Sequence, residues 1–177
     1  MGSATAWQLA HTGRSVALIE QFGAAHNKGS SHGGSRIFRL SYRAALYTDL
    51  AARALSDWRE LEADTGADLL EQNGQLDHGY KEAIDEIEVS LDRYNHPYER
   101  MDASEAHARW PGMNFEDHVI YSPDGGRCLA DKTVTTLIDR SRELGVDVHL
   151  NTPVLGVHLD GDHAIIETQT QTMRTPS

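Results

Sequence analysis

Residues 3–20, SATAWQLAHTGRSVALIE, decide how the rest of this 177-residue chain folds. The first ten, SATAWQLAHT, are rich in helix formers and stop at Gly13, where a helix is expected to end. Val16, Ala17, Leu18 and Ile19 then run without a polar break. That predicts a short strand buried on both faces, as in a parallel sheet. Glu20 closes it. Helix, glycine, buried strand and terminal acid make up the second half of the dinucleotide fingerprint: strand, G-x-G-x-x-G, helix, strand, acid. On this scheme Gly2 stands as the third glycine and Glu20 as the ribose acid. The first strand and the first two glycines have no counterpart in the sequence. Any buried helix–strand pair can end in Glu, so a plain structural reading stays open beside the functional one.

The stretch that follows is KGSSHGGSRIFRLSY, residues 28–42. Small residues run from Gly29 to Ser35, then Arg36 and Arg39 flank an apolar pair, Ile37 and Phe38, expected in the core. A loop poor in side chains lets backbone approach an anionic ligand, and two arginines would supply fixed positive charge there. The alternative is that both arginines form structural ion pairs with some of the 27 acids.

Further along, residues 46–64 have helical periodicity, with Leu46, Leu50, Ala54, Leu55, Trp58 and Leu61 near one face. GQLDHG (74–79) predicts a strand. KEAIDEIEVSLDRYN (81–95) predicts an amphipathic helix built on Ile84, Ile87 and Leu91. DASE (102–105) fits a capping box that opens a short helix stopping at Pro111. HVIYS (118–122) reads as a strand, with PDGG after it as a turn. Residues 131–145 read as a helix closed by Gly145. VDVHL, VLGVHL and AIIET then read as three short strands forming an antiparallel meander, with DGD as the turn between the last two. The tail QTQTMRTPS shows no pattern. Helices and strands alternate without an internal repeat, which predicts an α/β class, or α+β with mixed sheets.

The formal net charge of -11 argues against nucleic acid or an anionic membrane as the main partner. A local basic pocket is compatible with it. A single cysteine, Cys128, rules out a disulfide within the chain, fits a reducing compartment, and is expected to be a packing residue. No apolar run approaches the roughly 20 residues of a membrane span, and no signal-type opening is seen, so a cytoplasmic protein is expected. The ten histidines form no compact ligand set: His26 and His32 share a loop, and His149, His158 and His163 fall on expected strands. No metal site is expected. Trp58 and Trp110 are expected as core or interface anchors. No G-x-S-x-G elbow occurs.

The residues from Met1 to Tyr42 resemble the amino-terminal region of the FAD-dependent amine oxidases, the family of monomeric sarcosine oxidase, N-methyltryptophan oxidase and pipecolate oxidase. The resemblance rests on MGSATAWQLAHTG, VALIEQF, His26 and GSSHGGSRIFRLSY. It continues more weakly through the Trp58 helix, NGQLDHG, RWPG (109–112) and VHLNTPVLGV. It implies a Rossmann-type FAD-binding domain, here without its first strand, with an interleaved mixed-sheet segment of a substrate domain. The implied boundaries are 1–45 and 129–177 for the FAD-binding part and 46–128 for the substrate part.

The resemblance also implies an activity. FAD takes a hydride from the carbon beside a secondary or N-methyl amine of an amino acid, the imine hydrolyses, and oxygen reoxidises the flavin to give peroxide. The cofactor carries the redox chemistry and the protein orients it. Carried over residue by residue, Gly2, Glu20, Gln21, Ser30, Ser31, His32, Arg36 and Ile37 are expected at the cofactor. Arg36 is expected beside the flavin ring as a catalytic group, and Arg39 at the substrate carboxylate. Ser31 stands where sarcosine oxidase itself has histidine and pipecolate-type relatives have serine. The family's covalent flavin cysteine and oxygen-activating lysine lie outside this sequence; neither Cys128 nor Lys132 sits in a matching motif. The chain by itself is therefore expected to turn over little or no substrate. Two other readings follow: an inactive fragment that folds and self-associates through exposed sheet edges, and a flavin dehydrogenase that passes electrons to a carrier.

Overall fold

A computed structural model describes residues 1–176. In chain order the elements are α1 (Gly2–His11), β1 (Ala17–Ile19), β2 (Arg36–Phe38), α2 (Ala45–Thr65), β3 (Leu70–Glu71), β4 (Gln75–Gly79), α3 (Lys81–Arg93) and β5 (Glu99–Asp102). There follow α4 (Ala103–Arg109), β6 (His118–Ser122), β7 (Gly126–Cys128), α5 (Ala130–Glu143), β8 (Asp147–His149), β9 (Val154–Asp160), β10 (His163–Thr168) and β11 (Thr172–Pro176). The chain forms two compact units. One joins Met1–Gly34 to the chain from Ala130 onward; the other is Ser35–Leu129. Among the described residues, no helix is long and apolar enough to cross a membrane.

In the first unit β1 pairs parallel with β8, Leu18 lying opposite Val148. Backbone bonds extend the pair at both ends, Asp147 N–H to Val16 O at 3.0 Å and Glu20 N–H to His149 O at 2.9 Å. Helices α1 and α5 pack together. Their contribution to the core is Ala6 and Trp7 from one and Ala130, Leu137 and Ile138 from the other. The pairing is parallel as expected, but β1 is not buried on both faces: in this two-stranded sheet Ala17 is exposed and Leu18 and Ile19 are half-buried.

The antiparallel meander of this unit is β9–β10–β11, which corrects the expected grouping. VDVHL does not join it: its strand, β8, belongs to the parallel pair. The third strand comes instead from the tail. Thr172–Pro176 carries one apolar residue, Met173, so it has no hydrophobic alternation to reveal it. Its strand character comes from the backbone ladder to β10, with Ile166 opposite Met173 and Glu167 opposite Thr172. On β9, Leu155, Val157 and Leu159 are 63%, 66% and 72% exposed and, by strand alternation, share one face.

In the second unit β4, β6 and β5 form an antiparallel sheet in that order. Ile84, Ile87 and Leu91 of α3 pack with Ile120, Phe38, Leu40 and Leu70 in one core cluster. A smaller cluster joins Met101, Ala106 and Val119, with Leu76, Trp110, Phe115 and Tyr121 packed against it. Trp58 and Cys128 flank the larger cluster, so both serve as packing residues there.

The apolar stripe of α2 differs from the expected one. Ala51, Ala52, Leu55 and Trp58 pack on the core and Thr48 is fully buried, whereas Leu46 and Leu50 are more than half exposed. The stripe is rotated in the first two turns, where Thr48 can turn inward because its hydroxyl reaches Tyr42 O at 3.4 Å.

A third small sheet, β2–β7–β3, holds the RIF segment. Gly126 of β7 lies so close to β3 that a side chain there would collide with the Glu71 carbonyl. Of the apolar pair between the arginines, only Phe38 is in the core. Ile37 is 79% exposed, because consecutive residues of a strand face opposite ways.

Candidate functional site

The first unit contains a cleft of about 330 Å³ at the start of α1. Three segments meet there. Gly2 and Ser3 open the helix, Glu20 directly follows β1, and Ser30 and Ser31 come from the loop. Leu18, Val134 and Ile138 supply apolar wall. The first N–H groups of a helix have no acceptor within it, so the α1 end presents donors and partial positive charge. Gly2 sits against the strand: the first atom of a side chain there would touch Leu18 Cδ1 at 3.7 Å, leaving room for Ala and for little beyond it.

Glu20 is held from both sides. Its own N–H is bound to His149, and Thr152 N–H donates to its carbonyl at 2.9 Å. Its side-chain Oε1 accepts from Phe22 N–H at 2.9 Å. Fixed backbone and a tethered carboxylate make an acceptor whose place does not depend on the ligand. His26 lines the same cleft, with Nε2 3.4 Å from Glu20 Oε1.

Four of the expected cofactor residues, Gly2, Glu20, Ser30 and Ser31, thus border one cleft. Gln21 is exposed and His32 half-buried, and neither lines it. His32 instead turns Nδ1 to Gly29 O. Arg36, Ile37 and Arg39 belong to the second unit. There Arg36 donates to Ser35 O at 2.7 Å, and the Arg39 guanidinium lies 4.5 Å from the Tyr42 ring centroid.

Sequence reasoning passed over two features. In the sequence His26 stands out as a possible metal ligand and as a residue of the resembling motif, with no role at the cofactor, although it follows Glu20 by six residues. Asp77 lay hidden inside a strand motif. Gln75 Nε2 donates to Asp77 Oδ2 at 2.7 Å and to Ser41 Oγ at 2.6 Å, so these three form a partly buried polar cluster. Burial holds the Asp77 carboxyl above the usual carboxylate range; Ser41, Arg39, Gln75 and His78 pull it down without cancelling that effect.

The family model for FAD dependent oxidoreductases (DAO) matches residues 1–175. The chain belongs to the FAD dependent oxidoreductase family. Monomeric sarcosine oxidase of Streptomyces avermitilis is 31% identical over 159 residues, which is 87% of this chain and 41% of that protein. N-methyl-L-tryptophan oxidase of Yersinia pestis is 28% identical over 162 residues, 89% of this chain and 44% of the other. Among solved structures, the open form of NikD, described as an unusual amino acid oxidase, superposes with a TM-score of 0.81 at 26% identity. That match covers 97% of this chain and 46% of NikD. L-proline dehydrogenase from P. horikoshii shares the fold, with a TM-score of 0.82 at 17% identity. The chain spans less than half the length of each of these relatives.

The donor set suits the cofactor of this FAD dependent family. A dinucleotide needs N–H donors for its pyrophosphate and a fixed carboxylate for ribose hydroxyls. The α1 end offers such donors and Glu20 such a carboxylate, and both border the same cleft.

Proposed function

We propose that this chain is the FAD-holding portion of an oxidase that breaks the C–N bond of a secondary or N-methyl amino acid of the sarcosine or pipecolate type, with oxygen as acceptor. The observation that carries this is the convergence of Gly2, Glu20, Ser30 and Ser31 on one cleft. In this reading the α1 N–H groups and the loop serines bind the pyrophosphate and Glu20 accepts from the adenosine ribose. Gln21, His32, Arg36 and Ile37 contact the cofactor further along, with Arg36 beside its ring. Arg39 pairs with the substrate carboxylate. FAD, when bound, supplies the capacity to take two electrons from the substrate. The protein groups orient it and hold positive charge where negative charge develops. The reading places the protein in the cytoplasm with a small amine or amino acid as its partner, and with neither nucleic acid nor membrane.

The test is retention of cofactor. The 177-residue chain is mixed with FAD, passed through gel filtration, and its visible spectrum recorded. A flavin band that elutes with wild type and is lost in Glu20→Ala supports the reading. A folded wild-type chain that elutes without flavin refutes it for this chain. Little or no amine-dependent peroxide is expected even when flavin is bound; measurable peroxide production would contradict that expectation.

A second reading, self-association of the chain by itself, is favoured by the exposed row Leu155, Val157 and Leu159 on the edge strand β9. Sedimentation at rising concentration tests it. A monomer throughout counts against it, and a dimer dispersed by Val157→Thr supports it.

A further inference from the structure

In the second unit Arg39 is an exposed cation on a pinned backbone. Phe38 before it belongs to the core, and Leu40 and Ser41 after it are buried. Tyr42 N–H turns back onto Leu40 O at 3.0 Å. Arg43, Arg59, Arg100, Arg109 and Arg127 of the same unit each pair with an acid. Among the described residues Arg39 forms no ion pair; its guanidinium rests on the Tyr42 ring.

The segment that carries Arg39 is fastened from β4. Gln75 Nε2 donates to Ser41 Oγ at 2.6 Å and to Asp77 Oδ2 at 2.7 Å. Gln75 and Asp77 are two residues apart on a strand and so share a face. Gln75 Oε1 is buried without a hydrogen-bond partner, so the two Nε2 bonds alone orient the amide. The stem has no slack either: a side chain on Gly125 would collide with Gln75 Cβ.

We infer that Gln75 is a positioning residue for Arg39, its amide, anchored on Asp77, holding Ser41 so that the guanidinium is aimed at a carboxylate. The inference rests on the reading above in which Arg39 pairs with the substrate carboxylate. A guanidinium takes a carboxylate through parallel N–H bonds, which makes the pairing sensitive to where its backbone is held. Gln75 and Ser41 are uncharged, so losing either removes placement and leaves the charge of Arg39 as it was.

The test follows the Arg39 Nε–H resonance by NMR in the 177-residue chain, titrated with sarcosine or with sarcosinamide, which lacks the carboxylate. Wild type is expected to respond to sarcosine in preference to the amide. Gln75→Leu and the milder Ser41→Ala are each expected to weaken sarcosine about tenfold, the worth of one hydrogen bond to a charged group. The double variant is expected to be no weaker than either single one, because both remove the same bond. Asp77→Asn, which keeps an acceptor for Gln75, is expected to bind at least as tightly as wild type. Near-UV circular dichroism checks the fold of each variant. Folded Gln75→Leu and Ser41→Ala chains that bind sarcosine as wild type does would overturn the inference and leave the reading of Arg39 standing. Equal weakening of sarcosine and sarcosinamide would also overturn it, since that marks a purely structural bond. A wild-type Arg39 resonance that ignores sarcosine overturns the reading of Arg39 and the inference with it.

Discussion

Asp77 carries a cost that depends on pH. In the folded chain burial favours its neutral form, while the unfolded chain lets it ionise freely. Because the folded-state value is raised, its contribution to stability is fully present at low pH and is lost as pH rises through that value. Asp77→Asn keeps the shape and hydrogen-bonding capacity while removing the charge. It is expected to raise Tm at about pH 7.5 and to change it little near pH 3, below the ordinary carboxylate range. Equal shifts at both values, measured by thermal unfolding, would refute the assignment. This residue also marks a limit of sequence reading. GQLDHG identifies a strand, but nothing local indicates that Asp77 faces Ser41, which lies more than thirty residues earlier in the chain. Glu20 differs in this respect, since an acid directly after a strand is positioned by near neighbours, here the Phe22 N–H.

At the scale of elements, legibility follows the range of the interaction that makes each one. The capping box of α4 is local. Asp102 Oδ1 accepts from Glu105 N–H at 2.9 Å, and Glu105 Oε2 accepts from Asp102 N–H at 3.1 Å. Both partners sit within one turn, so the spacing alone revealed it. Asp102→Ala is expected to cost about 1 kcal/mol. For a chain of this size that corresponds to a fall in Tm of roughly 2–4 °C, whereas Asp102→Ser should recover most of it. The strands β2, β3, β5 and β7 are two to four residues long, too short to show a period of two. They exist because a distant strand supplies their hydrogen-bond partners, as β7 does for both β2 and β3. The tail strand β11 is the extreme case, with one apolar residue and a complete ladder.

For the molecule as a whole, membership of the FAD dependent oxidoreductase family could be read from the first 42 residues, because its motifs are local loops and turns. The first edge of the partition is a different matter. The resemblance implies a boundary near residue 45, set by motif content, whereas the compact units divide after Gly34 and after Leu129. The reason lies in strand pairing: Arg36 is opposite Cys128 in register, so RIF folds with the second unit although its arginines belong to the fingerprint loop.

One contact in the first unit bears on how such a chain could be cut and rejoined. Gly33 N–H donates to Asp131 Oδ1 at 2.6 Å, and Asp131 N–H donates back to Gly33 O at 3.2 Å. The two strands of main chain that leave and re-enter this unit are therefore fastened side by side. Within the other unit the Arg36 and Cys128 ends are likewise adjacent. Each piece thus closes on itself, which is the condition for a cassette that can be excised or permuted. A chain in which a short glycine linker replaces residues 35–129 is expected to keep a cooperative thermal transition. Asp131→Ala is expected to weaken that shortened chain more than the parent, since the clasp would then hold its only seam. A shortened chain that melts without cooperativity would mean that the first unit depends on its insert for folding.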